Sequence, residues 1–125
     1  MARILVAEDE PHIAHVTSLW LRQHGHQVSH AENGRVAMTL LQDGSFEVII
    51  SDMNMPEVNG MQLLRAVREQ FKLQIPFILL SARCDQDHLA EQIVPFRARL
   101  FAKPFMPSRL MAEVEQLLES SASMR

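Results

Sequence analysis

A single cysteine, Cys84, stands in the whole chain, so no internal disulfide can form and a reducing compartment is the natural setting. There is no basic excess either. Twelve Lys and Arg against fifteen Asp and Glu leave a formal net charge of -3, which argues against a nucleic-acid surface. No apolar run approaches the ~20 residues that a membrane span needs. The N-terminal residues show no charged segment followed by an apolar one, so no signal peptide is expected. Internal repeats and low-complexity segments are missing too. What remains is 125 residues, 47% of them hydrophobic, enough for one compact domain with its own core. The eight methionines are scattered and read as core filling. A soluble cytoplasmic domain that binds neither nucleic acid nor membrane is expected.

Short apolar runs alternate with amphipathic stretches, the pattern of a parallel α/β sheet. Residues 3–7, 27–31, 47–51, 76–81 and 99–102 read as strands, the second being the weakest because Val28 is its only strong strand former. Between them lie five helices. In the first, Asp9 or Glu10 precedes Pro11 at a first-turn position, Ile13, Val16 and Trp20 repeat at i, i+3 and i+7, and Gly25 closes it. Asn33 and Gly34 open the second, with Val36, Ala37, Leu40 and Leu41 facing inward and Gly44 as the stop. The third starts near Gly60 and repeats at Leu63/Leu64, Val67 and Phe71. Asp85 is placed to cap the fourth, which Pro95 must end or kink. Pro107 opens the fifth, carrying Leu110, Val114, Leu117 and Leu118. Residues 120–125 read as a flexible tail.

Four of the apolar runs deliver a reactive side chain at their C-terminal ends. Ile4-Leu5-Val6 leads to Glu8-Asp9-Glu10, and Val48-Ile49-Ile50 to Asp52. Phe77-Ile78-Leu79-Leu80 stops at Ser81, and Leu100-Phe101 leads to Lys103-Pro104-Phe105. In an open parallel sheet these ends share one edge, where such folds bind ligands. Carboxylates, a hydroxyl and an amine gathered there can hold a divalent cation together with an anionic phosphoryl group. Each has a plainer reading: a helix cap for Asp52 and Ser81, a helix-dipole partner for the acidic triplet. The six histidines suggest a metal site, yet neither His12 and His15 nor His24, His26 and His30 comes with the ligands that complete a zinc site; a solvated face is expected for them. Arg97, Arg99 and Arg109 likewise read as a solvated basic group, with an acidic partner surface as the alternative.

Taken together, Ile4-Leu5-Val6-Ala7-Glu8-Asp9-Glu10-Pro11, Asp52-Met53-Asn54-Met55-Pro56-Glu57-Val58-Asn59-Gly60, Leu80-Ser81-Ala82 and Lys103-Pro104-Phe105 resemble the receiver (CheY-like) domain of bacterial two-component response regulators. The resemblance covers essentially the whole length and implies a receiver domain over residues 1–119. It implies a flavodoxin-like, doubly wound (βα)5 sandwich whose five-stranded parallel sheet has the order 2-1-3-4-5. Asp52 is then expected to take a phosphoryl group from the phosphohistidine of a sensor histidine kinase or phosphotransfer protein, in a Mg2+-dependent reaction. Glu8, Asp9, Asp52 and the backbone carbonyl of Asn54 are the implied metal ligands, with Asp9 direct and Glu8 through water. Ser81 and Lys103 take the hydroxyl and cationic positions. A cis Lys103–Pro104 bond is implied, and Asn54 and Arg83 flank the path of the hydrolytic water. The domain is not expected to be an enzyme beyond assisting its own phosphotransfer and dephosphorylation, and it signals to an unknown downstream protein.

These residue types suit the chemistry. A carboxylate approaches phosphorus poorly because anion meets anion, and a divalent cation screens that repulsion. A cationic amine and a hydroxyl offer charge-assisted hydrogen bonds to phosphoryl oxygens. Two alternatives stay open: a degenerate receiver serving as a docking scaffold, and a haloacid-dehalogenase-like phosphatase. The second is weakened because Asp52-Met53-Asn54 lacks a second carboxylate to protonate a leaving group. The sequence also departs from the family. Where members carry Gly-Ala and then Tyr or Phe ahead of the lysine, this chain has Phe96, Arg97 and Leu100. Coupling to the α4–β5–α5 side is therefore expected to run through a helix shift, and no aromatic rotamer change is expected.

Overall fold

The computed structural model describes residues 2–82 and 86–123. Arg83 and the expected cap Asp85 lie outside the described residues. Five parallel strands, β1 (Arg3–Ala7), β2 (Gln27–Ala31), β3 (Val48–Asp52), β4 (Phe77–Ala82) and β5 (Arg99–Lys103), form one sheet in the order β2-β1-β3-β4-β5. Each boundary falls within one residue of the sequence expectation. Five α-helices connect and follow them: α1 (Pro11–Gln23), α2 (Gly34–Asp43), α3 (Gly60–Arg65), α4 (Gln86–Ile93) and α5 (Pro107–Ser123). This is the expected flavodoxin-like, doubly wound arrangement.

Alternation along the strands sorts the core into two layers, because successive side chains point to opposite faces. Leu5, Ala7, Ile49, Phe77 and Leu79 pack with Ala37 and Leu41 of α2, Leu63 and Leu64 of α3 and Ile93 of α4. Ile4, Val6, Val48, Ile50, Ile78 and Leu80 pack with Leu21 of α1 and Leu110, Met111 and Val114 of α5. The central strand β3 is buried at all five positions, whereas β2, at an edge, buries only Ala31 fully. Leu100 joins the first layer and its neighbour Phe101 the second.

Local signals explain most helix ends. Asn33 accepts the Val36 N–H at the start of α2, and Asn59 and Gln62 form a reciprocal capping box at the start of α3. Pro11 opens α1 behind Glu10, whose side chain makes no capping bond. Pro95 ends α4, the chain passing into a single 3-10 turn over Val94–Phe96 and then into Arg97, whose φ of 57° is left-handed.

Four features differ from expectation. The buried stripe of α1 is Ala14, Thr17, Ser18 and Leu21, one position on from Ile13, Val16 and Trp20, which are only half-buried. Small side chains face the sheet there, and the larger ones turn toward the flank shared with α5. The third helix does not continue as α-helix: residues Ala66–Gln70 are π-helical, with Phe71 N–H bonded to the Ala66 carbonyl at 2.9 Å. Helix α5 continues through Ser123, into the segment expected to be a flexible tail, since extending a formed helix needs no new nucleus. His26 does not lie on a solvated face: it is buried, accepts the Ala2 N–H at Nδ1 (3.1 Å) and donates from Nε2 to Glu115 of α5 (2.7 Å).

Candidate functional site: a lysine between two buried carboxylates

The order β2-β1-β3 makes β1 and β3 neighbours although the chain runs from β1 to β2, so the direction of winding reverses between them. A crevice opens there at the C-terminal ends of the strands. Glu8 and Asp9 follow β1, and Asp52 is the last residue of β3. Ser81 lies near the end of β4, paired in register with Ala102, and Lys103 ends β5, paired with Ala82. Four separate segments thus bring the expected groups to one edge.

Glu8, Asp52 and Ser81 are buried, at 1%, 5% and 1% exposure, whereas Asp9 is exposed. Lys103 bridges the first two: its Nζ donates to Glu8 Oε1 and to Asp52 Oδ1, each at 3.1 Å. The carboxylate oxygens of Glu8, Asp9 and Asp52 lie within 4.8 Å of one another, the one such group of potential metal ligands among the described residues. The histidines form none. Asn54 sits exposed in the loop after β3. The Lys103–Pro104 bond is cis, as expected.

Backbone contacts hold these side chains in place. Glu8 N–H donates to the Ala31 carbonyl (2.9 Å), and the exposed His30 donates from Nε2 to the Glu8 carbonyl (2.8 Å). Glu10 N–H donates to Glu8 Oε2 at 3.3 Å. On the β3 side, Met53 N–H bonds to the Leu80 carbonyl (2.8 Å), and Gly60 N–H returns to the Met53 carbonyl (2.9 Å). A side chain at residue 60 would collide with the Asp52 carbonyl oxygen and with Leu79 Cδ1. Only glycine lets α3 begin this close to the end of β3.

The electrostatics follow from this burial. Loss of water pushes the Glu8 carboxyl up to about 7; Asp52 adds to the rise and Lys103 opposes it. Burial also raises Asp52 above the usual carboxylate range, against the pull of Lys103 and with a further push from Asp9. For Lys103, burial draws the ammonium down, but Glu8 and Asp52 outweigh it and hold its pKa above the ordinary value. The site carries more negative charge than one lysine balances, and a divalent cation relieves such crowding.

The response regulator receiver domain model matches residues 4–115. The chain belongs to this family. As a receiver domain of two-component systems it is a signalling domain. It is 33% identical, over 99% of its length, to a probable transcriptional regulatory protein of Picosynechococcus, of which it covers 52%. Response regulator SaeR of Staphylococcus aureus is 29% identical over 94% of this chain and 51% of that protein. The receiver therefore spans about half the length of these relatives. Among solved structures, the receiver domain of a Francisella response regulator superposes with a TM-score of 0.89 at 27% identity, covering 97% of this chain and 99% of that one. No helix among the described residues is long and apolar enough to cross a membrane.

The receiver site also depends on residues that sequence reasoning passed over. The sequence marks Gly60 as a helix start and as the end of the Asp52–Gly60 motif, but not its glycine-only approach to the Asp52 backbone carbonyl, which seats α3 against the end of β3. The Asn59-x-x-Gln62 spacing signals the capping box that starts α3 there. His30 gives no local signal, because its partner Glu8 lies 22 residues away, just after β1.

Proposed function

We propose that this receiver takes a phosphoryl group onto Asp52 from the phosphohistidine of a sensor histidine kinase or phosphotransfer protein. The observation that carries the reading is the Lys103 ammonium held 3.1 Å from both Asp52 Oδ1 and Glu8 Oε1 at the β1/β3 crevice. One Asp52 carboxylate oxygen attacks phosphorus; the P–N bond to the donor imidazole breaks, and its electron pair returns to the ring. Lys103 is placed to follow the new phosphoryl oxygens, and the Ser81 hydroxyl, buried near the end of β4, donates to another.

The donor set fits Mg2+, a hard cation that takes oxygen ligands. Glu8, Asp9 and Asp52 would hold it with the Asn54 carbonyl, and when bound it screens the repulsion between carboxylate and phosphoryl group. A relative supports this: response regulator TrrA of Thermotoga maritima was solved in complex with Mg2+ and BeF, with a TM-score of 0.81 at 28% identity over 94% of this chain and 99% of that one. The receiver then signals to a downstream protein through contacts that depend on phosphorylation.

Incubation with acetyl phosphate and Mg2+ tests the reading by intact-protein mass. One added phosphoryl group is expected on the wild type, and none on Asp52→Asn or with Mg2+ chelated. Equal labelling of Asp52→Asn would overturn the assignment, and an unlabelled wild type would leave a docking scaffold.

A further inference from the structure

Beside the phosphoacceptor site, but outside the roles assigned to it, lies a cavity of about 520 Å³ between α1 and the β5–α5 connection. Ile13 and Val16 of α1 face Pro104, Phe105 and Pro107 across it, with Glu10, His12, Thr17 and Lys103 as its polar residues. The volume and the mainly apolar lining with few polar groups are those of small-molecule sites.

Thr17 supplies the second observation. It is 3% exposed, and its Oγ1 has no hydrogen-bond partner, the only such buried side-chain oxygen or nitrogen among the described residues. Buried hydroxyls are nearly always paired, so an orphan in a cavity wall marks a group that a ligand can satisfy. The Thr17 Oγ1 is closed off from the cavity space as it stands; helical threonine divides between two χ1 wells, and a change of well is what presents the hydroxyl to an occupant. Charge narrows the ligand further. Lys103 is already matched by Glu8 and Asp52, so an anion finds no free cation there and meets Glu10, while a cation meets Lys103.

We propose that this cavity binds a small neutral aromatic molecule carrying one N–H or O–H group, which pairs with Thr17 Oγ1 while the ring packs against Ile13, Val16 and Phe105. Because Lys103, Pro104 and Phe105 belong to its wall, an occupant touches the loop that carries the site lysine. The inference does not require phosphorylation of Asp52.

Indole and 1-methylindole, in which the N–H is blocked, are the probes, titrated into the 15N-labelled wild-type domain. Saturable amide shifts over residues 12–17 and 105–109 are expected, with indole binding about fivefold more tightly, the contribution of one hydrogen bond. Thr17→Val, nearly isosteric, should erase that preference and keep binding, and Ile13→Trp should fill the cavity and abolish it. Absence of saturable shifts in the wild type, or shifts untouched by Ile13→Trp, overturns the site. An indole preference that survives Thr17→Val, or no preference in the wild type, overturns the role of Thr17.

Discussion

A half-buried cation sits at each end of the sheet, and the two are matched in different ways. At the C-terminal edge Lys103 faces two carboxylates, Glu8 and Asp52. At the N-terminal edge Arg68, in the π-helical turn after α3, faces no acid among the described residues. It donates from Nε to the Phe96 carbonyl (2.7 Å) and from Nη1 to the Leu73 and Ile75 carbonyls (2.8 Å each). These carbonyls lie just before β5 and β4. The consequences for charge are opposite. Lys103 is held above its ordinary pKa by its carboxylates, while burial, and then Arg97, draw Arg68 below its own. Carbonyl dipoles bind a guanidinium in a fixed fork and leave nothing to exchange. Carboxylates can trade a proton or an ammonium for a metal ion or a phosphoryl group. One edge can therefore exchange its partners, and the other holds the chain.

The largest effect that could break this contrast is on phosphoryl transfer. Lys103→Met should slow acetyl phosphate labelling about 100-fold, the usual cost of losing a group that stabilises developing charge. Arg68→Met should leave the rate within about twofold once folded protein is compared with folded protein, as the assay is blind to the far edge. Equal losses in both variants would mean that the two edges are not separate.

In urea unfolding the ranking reverses. Arg68→Met leaves three carbonyls without their donor and should cost about 3 kcal/mol, since bonds to a charged group contribute ~1.5–3 kcal/mol each but do not add in full. A loss below that of Lys103→Met would contradict the structural role of Arg68.

The strands were legible in the sequence because each is an apolar run bounded by turn residues, and their four reactive ends point to one edge in any parallel sheet. Arg68 was not. It follows Val67 on a helix read as regular, and only the π-turn brings it over carbonyls from two other segments. His26 was missed for the same reason, its partner Glu115 being 89 residues away. The α1 stripe departs from the apolar pattern because burial there follows size: Ala14, Thr17 and Ser18 face the sheet by being small. The departures at Phe96, Arg97 and Leu100 are visible in sequence, and the structure gives them a setting: Arg68 holds the Phe96 carbonyl, and the Arg65 guanidinium lies 6.0 Å from the Phe96 ring.

The pH response sharpens the account of the C-terminal edge. Glu8 has a folded pKa of about 7 against an ordinary 4.5, so between those values the folded protein holds a proton that the unfolded chain has released. Stability of the metal-free domain should fall as pH rises from 5 to 8, by up to ~3 kcal/mol. The raised Asp52 acts in the same direction, while the Lys103 contribution is constant over this window. Glu8→Gln should flatten much of the slope in denaturant titrations across that range; an unchanged slope would place its origin elsewhere.

The smallest expected effect is at the turn before β5. Arg97 holds φ at 57°, a conformation that costs an L-residue ~1 kcal/mol and glycine almost nothing. Arg97→Gly should stabilise the domain by less than ~1 kcal/mol, because glycine also loosens the unfolded chain, and this is read as a small rise in the thermal midpoint. A clear loss would show that the Arg97 side chain matters more than its backbone.

The most direct measurement maps the phosphoryl group itself. Labelled protein reduced with borohydride converts an aspartyl phosphate to homoserine, which peptide mass spectrometry locates. Homoserine at position 52 is the predicted result; homoserine at position 9, or at no acidic residue of a protein that has taken up label, would contradict the account.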